Sequence, residues 1–260
     1  MGEFQDIIYE AENGTVVVTF NRPAVMNALG RTLVSELDQL VTELERDSQI
    51  RAVIFTGGEK VFSPGVDLKE RKSMTDDQKW WHSRQLARTV TRIAKLPQVT
   101  IAAINGYCLG GGLELALGCD LRVAGEGAQL GLPETRIGIL PGAGGTQRLS
   151  RLIGAGRAKL FILTARRVPA REAEAMGLVE VVVPTGQALA ESHKLAMEIL
   201  QNSPLGVGFA KKAVDYGLQC DLSTGLEYEE TVAKICFYSN DYKEGLAAFN
   251  EKRKANFQGR

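Results

Sequence analysis

The segment VTIAAINGYCLGGGLELALGCD, residues 99–120, decides the fold of this 260-residue chain. An uncharged, β-rich run over Val99–Asn105 is followed by three glycines and then by an apolar stretch that ends at Leu117. This order predicts a buried strand, a tight turn and a helix, as in the core of an α/β protein. Apart from the final aspartate, Glu114 is the only charged residue of the segment, and it lies one turn into the predicted helix.

Further strands and helices are predicted on both sides of this segment. Upstream, two β-rich runs flank Asn13-Gly14, a dipeptide that favours a tight hairpin, and leucines at helical spacing follow. The upstream elements are strands at 7–12, 15–20 and 52–56 and helices over 31–47 and about 76–95. Downstream, strands are predicted at 121–124 and 129–132, with helices over 144–152, 155–163, 170–176, 186–201, 206–217, 222–238 and 241–254. We therefore divide the chain into an α/β core, residues 1–200, and a helical C-terminal segment, residues 201–260.

The composition is that of a folded globular protein and limits the chemistry available. Thirty-one basic and 31 acidic residues give a net charge of zero, which provides no overall attraction to nucleic acids or anionic membranes. The two histidines, His82 and His193, are far apart in the sequence. This spacing excludes a multi-histidine metal site and disfavours a histidine triad. Chemistry is therefore expected to depend on carboxylates, backbone dipoles or thiols, without a metal.

The cysteines and the N-terminus predict a cytoplasmic protein. The N-terminal stretch MGEFQDIIYE has no cationic flank before an apolar run, so neither a secretory signal nor a transit peptide is predicted. The longest weakly charged stretch, 96–119, is interrupted by glycines and by Glu114, so no membrane span is predicted. Four cysteines without C-x-x-C spacing are expected to be reduced, buried thiols: Cys108, Cys119, Cys220 and Cys236.

Glu114 has two interpretations on the residues alone. An acid near a helix N-terminus interacts favourably with the helix dipole, by about 0.3–1 kcal/mol. Alternatively, burial among apolar neighbours would raise the pKa of the carboxyl toward neutrality, as a general acid or base requires. Glu134 follows a strand end at a proline, where Pro-Glu is also a common helix start.

Of three glycine-containing segments, two are candidates for backbone binding sites. The glycines before Glu114 leave N–H groups at a helix N-terminus free to bind an anion or a carbonyl oxygen. The irregular segment FSPGVD, residues 62–67, follows a predicted strand and could deliver another N–H to the same point. The cluster PGAGGT, residues 141–146, lacks the ending of a P-loop and the spacing of a dinucleotide-binding turn.

Four ordered motifs together carry a resemblance to a known family. They are Asn21-Arg22-Pro23, residues 62–70, residues 101–106 with 109–120, and residues 132–134 with 141–149. In order and spacing they resemble the enoyl-CoA hydratase/isomerase (crotonase) family, and the similarity continues through 249–257. The resemblance implies an α/β spiral of ββα units followed by helices that trimerise. It also implies a homo-trimer or a hexamer built as a dimer of trimers, with an acyl-CoA thioester as substrate.

The resemblance assigns roles to individual residues. The backbone N–H groups of Val66 and Gly111 would form an oxyanion hole, and Glu114 and Glu134 match the two catalytic glutamates of the family. The presence of both glutamates favours hydration of a trans-2-enoyl-CoA to a 3-hydroxyacyl-CoA, with no cofactor besides the CoA of the substrate. The residues matched to substrate or CoA binding are Ala24, Val25, Asp67, Leu68, Lys69, Gly142, Phe249 and Lys252, of which the last two could come from a neighbouring subunit.

The sequence departs from the family pattern at three positions and leaves alternatives open. Ala24 replaces a frequently basic residue, Pro64 replaces a small one, and Val66 is bulkier than the usual alanine. The alternatives within the family are an enoyl-CoA isomerase and a hydratase of a branched substrate such as methylglutaconyl-CoA. Some relatives bind AU-rich RNA through lysines on the first long helix. Here that helix, residues 31–47, carries five acids and two arginines, so nucleic-acid binding is not expected. The expected pathway is the degradation of fatty acids or related acyl-CoA compounds.

Overall fold

The computed structural model describes residues 4–260, which form two compact units. Residues 1–3, on which part of the leader-sequence prediction rests, lie outside the described residues. The first unit continues to Leu96 and resumes at Thr100–Lys194, and the second comprises Pro97–Val99 and Leu195–Arg260. The boundary therefore lies within the helix Ala188–Leu200, whereas the sequence-based division follows that helix.

The chain opens with the predicted β-hairpin. Strand β1 (Ile7–Glu12) pairs antiparallel with β2 (Thr15–Phe20), and Glu12 lies opposite Thr15. Both turn residues, Asn13 and Gly14, have positive φ, as a two-residue hairpin turn with right-handed strand twist requires. The hairpin prediction is confirmed to the residue.

Two sheets organise the first unit. The added strands are β3 (Ala52–Thr56), β4 (Val99–Ile104), β5 (Tyr107–Leu109), β6 (Leu121–Gly125), β7 (Gln129–Gly131), β8 (Arg167–Pro169) and β9 (Val181–Val183). The larger sheet has the order β1-β2-β3-β4-β6-β9, in which β2 and β3, β4 and β6, and β6 and β9 are parallel. The smaller sheet has the order β5-β7-β8. Strands β5, β8 and β9 were not predicted, whereas β7, which is equally short, lies within the predicted strand 129–132.

Amphipathic helices cover these strands. Helix α1 (Arg31–Leu44) buries all six of its large apolar side chains, and it ends before the predicted residue 47. Helix α3 begins with a capping box in which Thr75 and Gln78 exchange hydrogen bonds with each other's backbone. The helices before residue 120 are α1, α2 (Leu68–Arg71), α3 (Asp76–Ile93) and α4 (Gly111–Gly118).

The rest of the chain is mainly helical, as predicted. Its helices are α5 (Gly145–Ile153), α6 (Ala155–Leu163), α7 (Ala170–Ala175), α8 (Ala188–Leu200), α9 (Pro204–Gly217), α10 (Leu222–Phe237) and α11 (Asn240–Glu251). Two 3₁₀ turns, Pro23–Val25 and Glu134–Ile137, complete the elements. Helices α9, α10 and α11 lie in the second unit, where side chains of Ser203, Asp221 and Ser239 cap their N-termini. None of the helices in residues 4–260 is both long and apolar enough to cross a membrane.

The four cysteines form no disulfide bond within residues 4–260, but only two of them are buried. Cys108 and Cys119 pack in the core of the first unit, as predicted. Cys220 and Cys236 are half-buried, which corrects the prediction that all four are core residues. Both lie at or near the ends of helices in the second unit, where the apolar core of the first unit does not enclose them.

Candidate active site

Helix α4 carries Glu114 into the core of the first unit. Every residue of α4 is buried, and Glu114 itself is 3% exposed. Its Oε1 accepts hydrogen bonds from Ala143 N at 2.7 Å and from Gly145 N at 2.8 Å. Gly145 is the first residue of α5, so the carboxylate lies at that helix's N-terminus, where negative charge is favoured. Burial raises the pKa of Glu114, while the two N–H donors and the charge of Arg148 oppose that rise.

Glu134 lies close to this helix but has a different environment. It opens the 3₁₀ turn after Pro133 and is 9% exposed. Within the described residues its buried Oε2 has no hydrogen-bond partner. A methyl group added to Gly110, the residue before α4, would lie 3.2 Å from Glu134 Oε1. Burial, reinforced by the charge of Glu114, raises the pKa of Glu134 to about 7.

The two predicted N–H donors come from segments that pair directly. Ser63 N donates to Tyr107 O and Leu109 N donates to Ser63 O, both at 2.9 Å, which sets the segment 62–67 against β5. Gly65 has a φ of 98°, and a methyl group there would lie 3.1 Å from Gly111 N. This close approach and positive φ explain why a glycine is needed at position 65.

Val66 is held between two backbone hydrogen bonds on the other side of its segment. Leu29 N donates to Gly65 O at 2.8 Å, and Asp67 N donates to Leu29 O at 3.2 Å. The N–H groups of Val66 and Gly111 donate to no acceptor in the part of the chain that the structure describes. The structure therefore places two unused backbone donors on neighbouring segments, and Gly111 belongs to the N-terminus of α4.

A buried ion-pair network fixes the end of this donor segment. The carboxylate of Asp67 accepts hydrogen bonds from Lys69 N and Glu70 N and so caps α2. Arg22 Nη1 lies 3.2 Å from Asp67 Oδ2, and Arg22 Nε lies 3.1 Å from Asp6 Oδ2. Arg22 also donates to Ala28 O at 2.5 Å. The arginine of the Asn-Arg-Pro motif thus joins the hairpin, the Pro23–Val25 turn and the segment that carries Val66.

The residues predicted to bind CoA lie in both units. In the first unit, Ala24 is exposed and Val25 is half-buried on the Pro23–Val25 turn, and Leu68 and Lys69 are exposed at the start of α2. Gly142 is exposed beside Ala143, whose N–H binds Glu114. In the second unit, Phe249 is exposed on α11 and Lys252 follows the end of that helix.

Two arginines of the site were not singled out from the sequence. Arg22 and Arg148 both lie within motifs of the resemblance, but neither was assigned a role there. In the sequence, Arg148 is recognisable only as a charged residue at the fourth position of the amphipathic helix α5. Backbone acceptors, which both arginines use, have no signature in a sequence.

The geometry defines what this site can do chemically. Two neighbouring N–H groups can polarise a carbonyl oxygen, and two buried carboxyl groups can exchange protons with whatever lies between them. Because one carboxyl group accepts two hydrogen bonds and the other has an unpartnered oxygen, they are suited to different protonation states.

Comparison with known proteins places this geometry in context. The sequence model of the enoyl-CoA hydratase/isomerase family matches residues 10–260. The chain is 50% identical to YngF of Bacillus subtilis, a protein named for that family, over 94% of each chain. It is 42% identical to a short-chain-enoyl-CoA hydratase of Clostridium acetobutylicum over 97% of each. The crystal structure of an enoyl-CoA hydratase from Bacillus anthracis superimposes with a TM-score of 0.96 at 44% identity, over 98% of this chain and 100% of the other.

Proposed function

Because the chain belongs to the enoyl-CoA hydratase/isomerase family, we propose that it hydrates a trans-2-enoyl-CoA to a 3-hydroxyacyl-CoA. The observation that carries the proposal is the pair of buried glutamates with unequal surroundings beside two free backbone donors. An isomerase moves one proton within its substrate and can do so with a single carboxylate. Addition of water requires one group to take a proton and another to give one, which the pair Glu114 and Glu134 supplies.

The first step depends on the oxyanion hole. The N–H groups of Val66 and Gly111 would bind the thioester oxygen and stabilise the negative charge that develops when water adds at C3. The Gly111 donor is the stronger of the two, because the dipole of α4 adds to it. Loss of one such donor typically lowers the rate about 10²- to 10³-fold.

The two glutamates then exchange protons with water and substrate. Glu114, ionised, would remove a proton from water as the oxygen forms its bond to C3, and the C2–C3 π electrons would move into the thioester. Glu134, protonated, would then donate its proton to C2, so that the elements of one water are added overall. The Glu114 carboxyl is left protonated and Glu134 ionised, and proton exchange with solvent restores the starting state. Gly142, beside the turn that binds Glu114, would help to place the water.

The CoA moiety is proposed to lie along the turns joined by Arg22. Ala24, Val25, Asp67 and Leu68 would contact it through backbone and apolar groups, and Lys69 would meet a phosphate as a point charge. Phe249 and Lys252 would complete the site from a neighbouring subunit. No cofactor besides CoA enters this scheme, and its proposed setting is the degradation of fatty acids or related acyl-CoA compounds in the cytoplasm, although some relatives are named as mitochondrial.

A homo-trimer or a hexamer is proposed for the assembly. Within the second unit, large apolar side chains are exposed on α10, α11 and the α9–α10 connection, including Leu218 at 69%, Leu222 at 78% and Phe249 at 82%. Exposed apolar groups of this size commonly mark a protein interface. Light scattering after gel filtration tests the assembly, and a monomer at micromolar concentration would contradict it.

A substrate panel tests the reaction. The purified protein is mixed with crotonyl-CoA, a trans-3-enoyl-CoA, 3-methylglutaconyl-CoA and a saturated acyl-CoA control, and products are separated by chromatography. We expect loss of the enoyl-thioester absorbance and formation of 3-hydroxybutyryl-CoA from crotonyl-CoA. Turnover of the trans-3-enoyl ester alone would favour the isomerase, and turnover of the branched ester alone would favour the methylglutaconyl-CoA hydratase.

A further inference from the structure

Arg148 on α5 is a half-buried cation that has no acid in direct contact among the described residues. Within residues 4–260 no carboxylate forms an ion pair with it, although burying an unpaired charge is costly. Its Nη1 donates to Ala143 O at 3.0 Å, and its Nη2 donates to Thr91 Oγ1 at 3.3 Å. Burial lowers the pKa of Arg148, and the charge of Glu114 opposes that effect.

The guanidinium lies across the turn that binds Glu114. Ala143 accepts from Arg148 through its carbonyl and donates to Glu114 through its N–H. A methyl group on Gly144 would lie 1.8 Å from Arg148 Nη1, so the side chain passes directly over that residue. Arg148 therefore packs on Gly144, the residue between the two whose N–H groups bind the Glu114 carboxylate.

Few other charges face Glu114. Glu134 approaches from its 3₁₀ turn, and the charge of Glu114 helps to raise the pKa of Glu134. From β5, the thiol of Cys108 is fully buried and its pKa is raised, so it stays neutral, and Cys119 lies at the end of α4. From α3, the side chains packed on the start and end of α4 are apolar, Leu86 against Gly111 and Val90 against Gly118. Arg148 is thus the only cation among the groups that face this carboxylate within the described chain.

We propose that Arg148 is a positioning residue for Glu114: it clamps the 143–145 turn through Ala143 and supplies the charge that keeps Glu114 ionised beside a protonated Glu134. The role rests on the proposed hydration, in which Glu114 must be ionised to accept a proton from water. Arg148 does not touch the reacting atoms, so it acts through the turn and through its charge.

Paired variants separate these two effects. Arg148→Gln keeps a side-chain N–H donor but removes the charge. Arg148→Lys keeps the charge but removes the two-pronged donor. Arg151→Gln is the matched control on the same helix, because Arg151 is exposed and bonds only to Gln147. Thermal unfolding and gel filtration establish that each variant is folded.

The readout is the pH dependence of kcat/KM for crotonyl-CoA. For Arg148→Gln we expect the acidic limb, which reports ionisation of Glu114, to move up by about half a pH unit or more. For Arg148→Lys we expect that limb to stay in place while kcat falls roughly three- to tenfold. The control should match the parent in both respects. An Arg148→Gln acidic limb at the parental position, or an Arg148→Lys kcat at the parental value, would overturn the proposal.

A second measurement does not depend on turnover. The infrared band of protonated carboxyl groups is followed against pH, and the Glu114 component is identified by its absence in Glu114→Gln. We expect that component to persist to higher pH in Arg148→Gln than in the parent. If the parent shows this titration but does not hydrate enoyl-CoA, the proposed function fails and the role of Arg148 in Glu114 ionisation still stands. If Arg148→Gln does not fold, a parental kcat in Arg148→Lys contradicts the clamp.

Discussion

Glu114 and Glu134 are the same residue type and are buried to a similar degree, yet the hydrogen-bond partners of their carboxyl groups differ. Glu114 accepts two short hydrogen bonds from backbone N–H groups at the start of α5. Glu134 has a buried oxygen with no partner in the described residues, and its pKa is raised to about 7. The difference shows that the surroundings of a carboxyl group, rather than its side-chain identity, determine whether it can remain charged.

Replacing either glutamate by glutamine should give the largest effect. Glu114→Gln and Glu134→Gln each remove one proton-transfer group while preserving side-chain shape, so kcat for hydration should fall roughly 10²- to 10⁴-fold. Binding of a saturated acyl-CoA, measured by calorimetry, should change little. Because the two groups act on one water, the double variant should lose much less than the product of the single losses. Near-parental turnover in either single variant would remove that residue from the mechanism.

The second prediction concerns a substitution that displaces the Glu114 carboxylate without changing the glutamate itself. In Gly145→Ala the new methyl group would lie 3.0 Å from Glu114 Oε1 and 2.7 Å from Pro141 Cβ, so the carboxylate or the turn must move. We expect kcat to fall roughly 10- to 100-fold because a shift of this kind misplaces the attacking water. Gly156→Ala on α6 is the control, since no atom lies within 4 Å of its new methyl group. Parental kcat in Gly145→Ala would mean that the 143–145 turn does not position Glu114.

How much of the fold and of the candidate site the sequence predicts depends on how far apart in the chain the interacting residues lie. The β1–β2 hairpin and α1 are predictable because a turn dipeptide and a helical repeat lie within a few residues. Strands β5, β8 and β9 pair with distant segments, so no local pattern predicts them. Helix α2 is capped locally by Asp67, but its four residues are too few to show a helical repeat. Glu114 is recognisable as the lone charge of an apolar helix. Its partners Ala143 and Gly145 contribute only backbone N–H groups, which every residue except proline possesses, and so sequence cannot assign them.

The third prediction measures the cost of leaving Glu134 without a partner. Its pKa is about 7 in the folded protein against 4.5 for an ordinary glutamate, so the folded state favours the protonated form. Relative to Glu134→Gln, the parent should therefore be fully stable below pH 4.5 and lose stability as the pH rises toward about 7. The loss should level off above that pH at about 3–4 kcal/mol. Urea unfolding of both proteins from pH 4 to pH 8 gives the difference, and a difference independent of pH would contradict the raised pKa.

The smallest effect is expected at Arg22, which supports the segment 62–67 that carries the Val66 N–H donor. Arg22→Met removes the ion pairs to Asp6 and Asp67 and the bond to Ala28 O, so we expect the free energy of unfolding to fall by about 1–3 kcal/mol. The turnover number should fall several-fold because Val66 N is held less firmly, whereas the pH profile should not move, since Arg22 contacts neither glutamate. Arg171→Met, which removes two exposed ion pairs, to Glu126 and Glu174, is the control and should leave both quantities unchanged. A shifted pH profile in Arg22→Met would show that the segment carrying Val66 also influences the protonation of the glutamates. The expectation that Arg22 supports only the backbone donors would then be wrong.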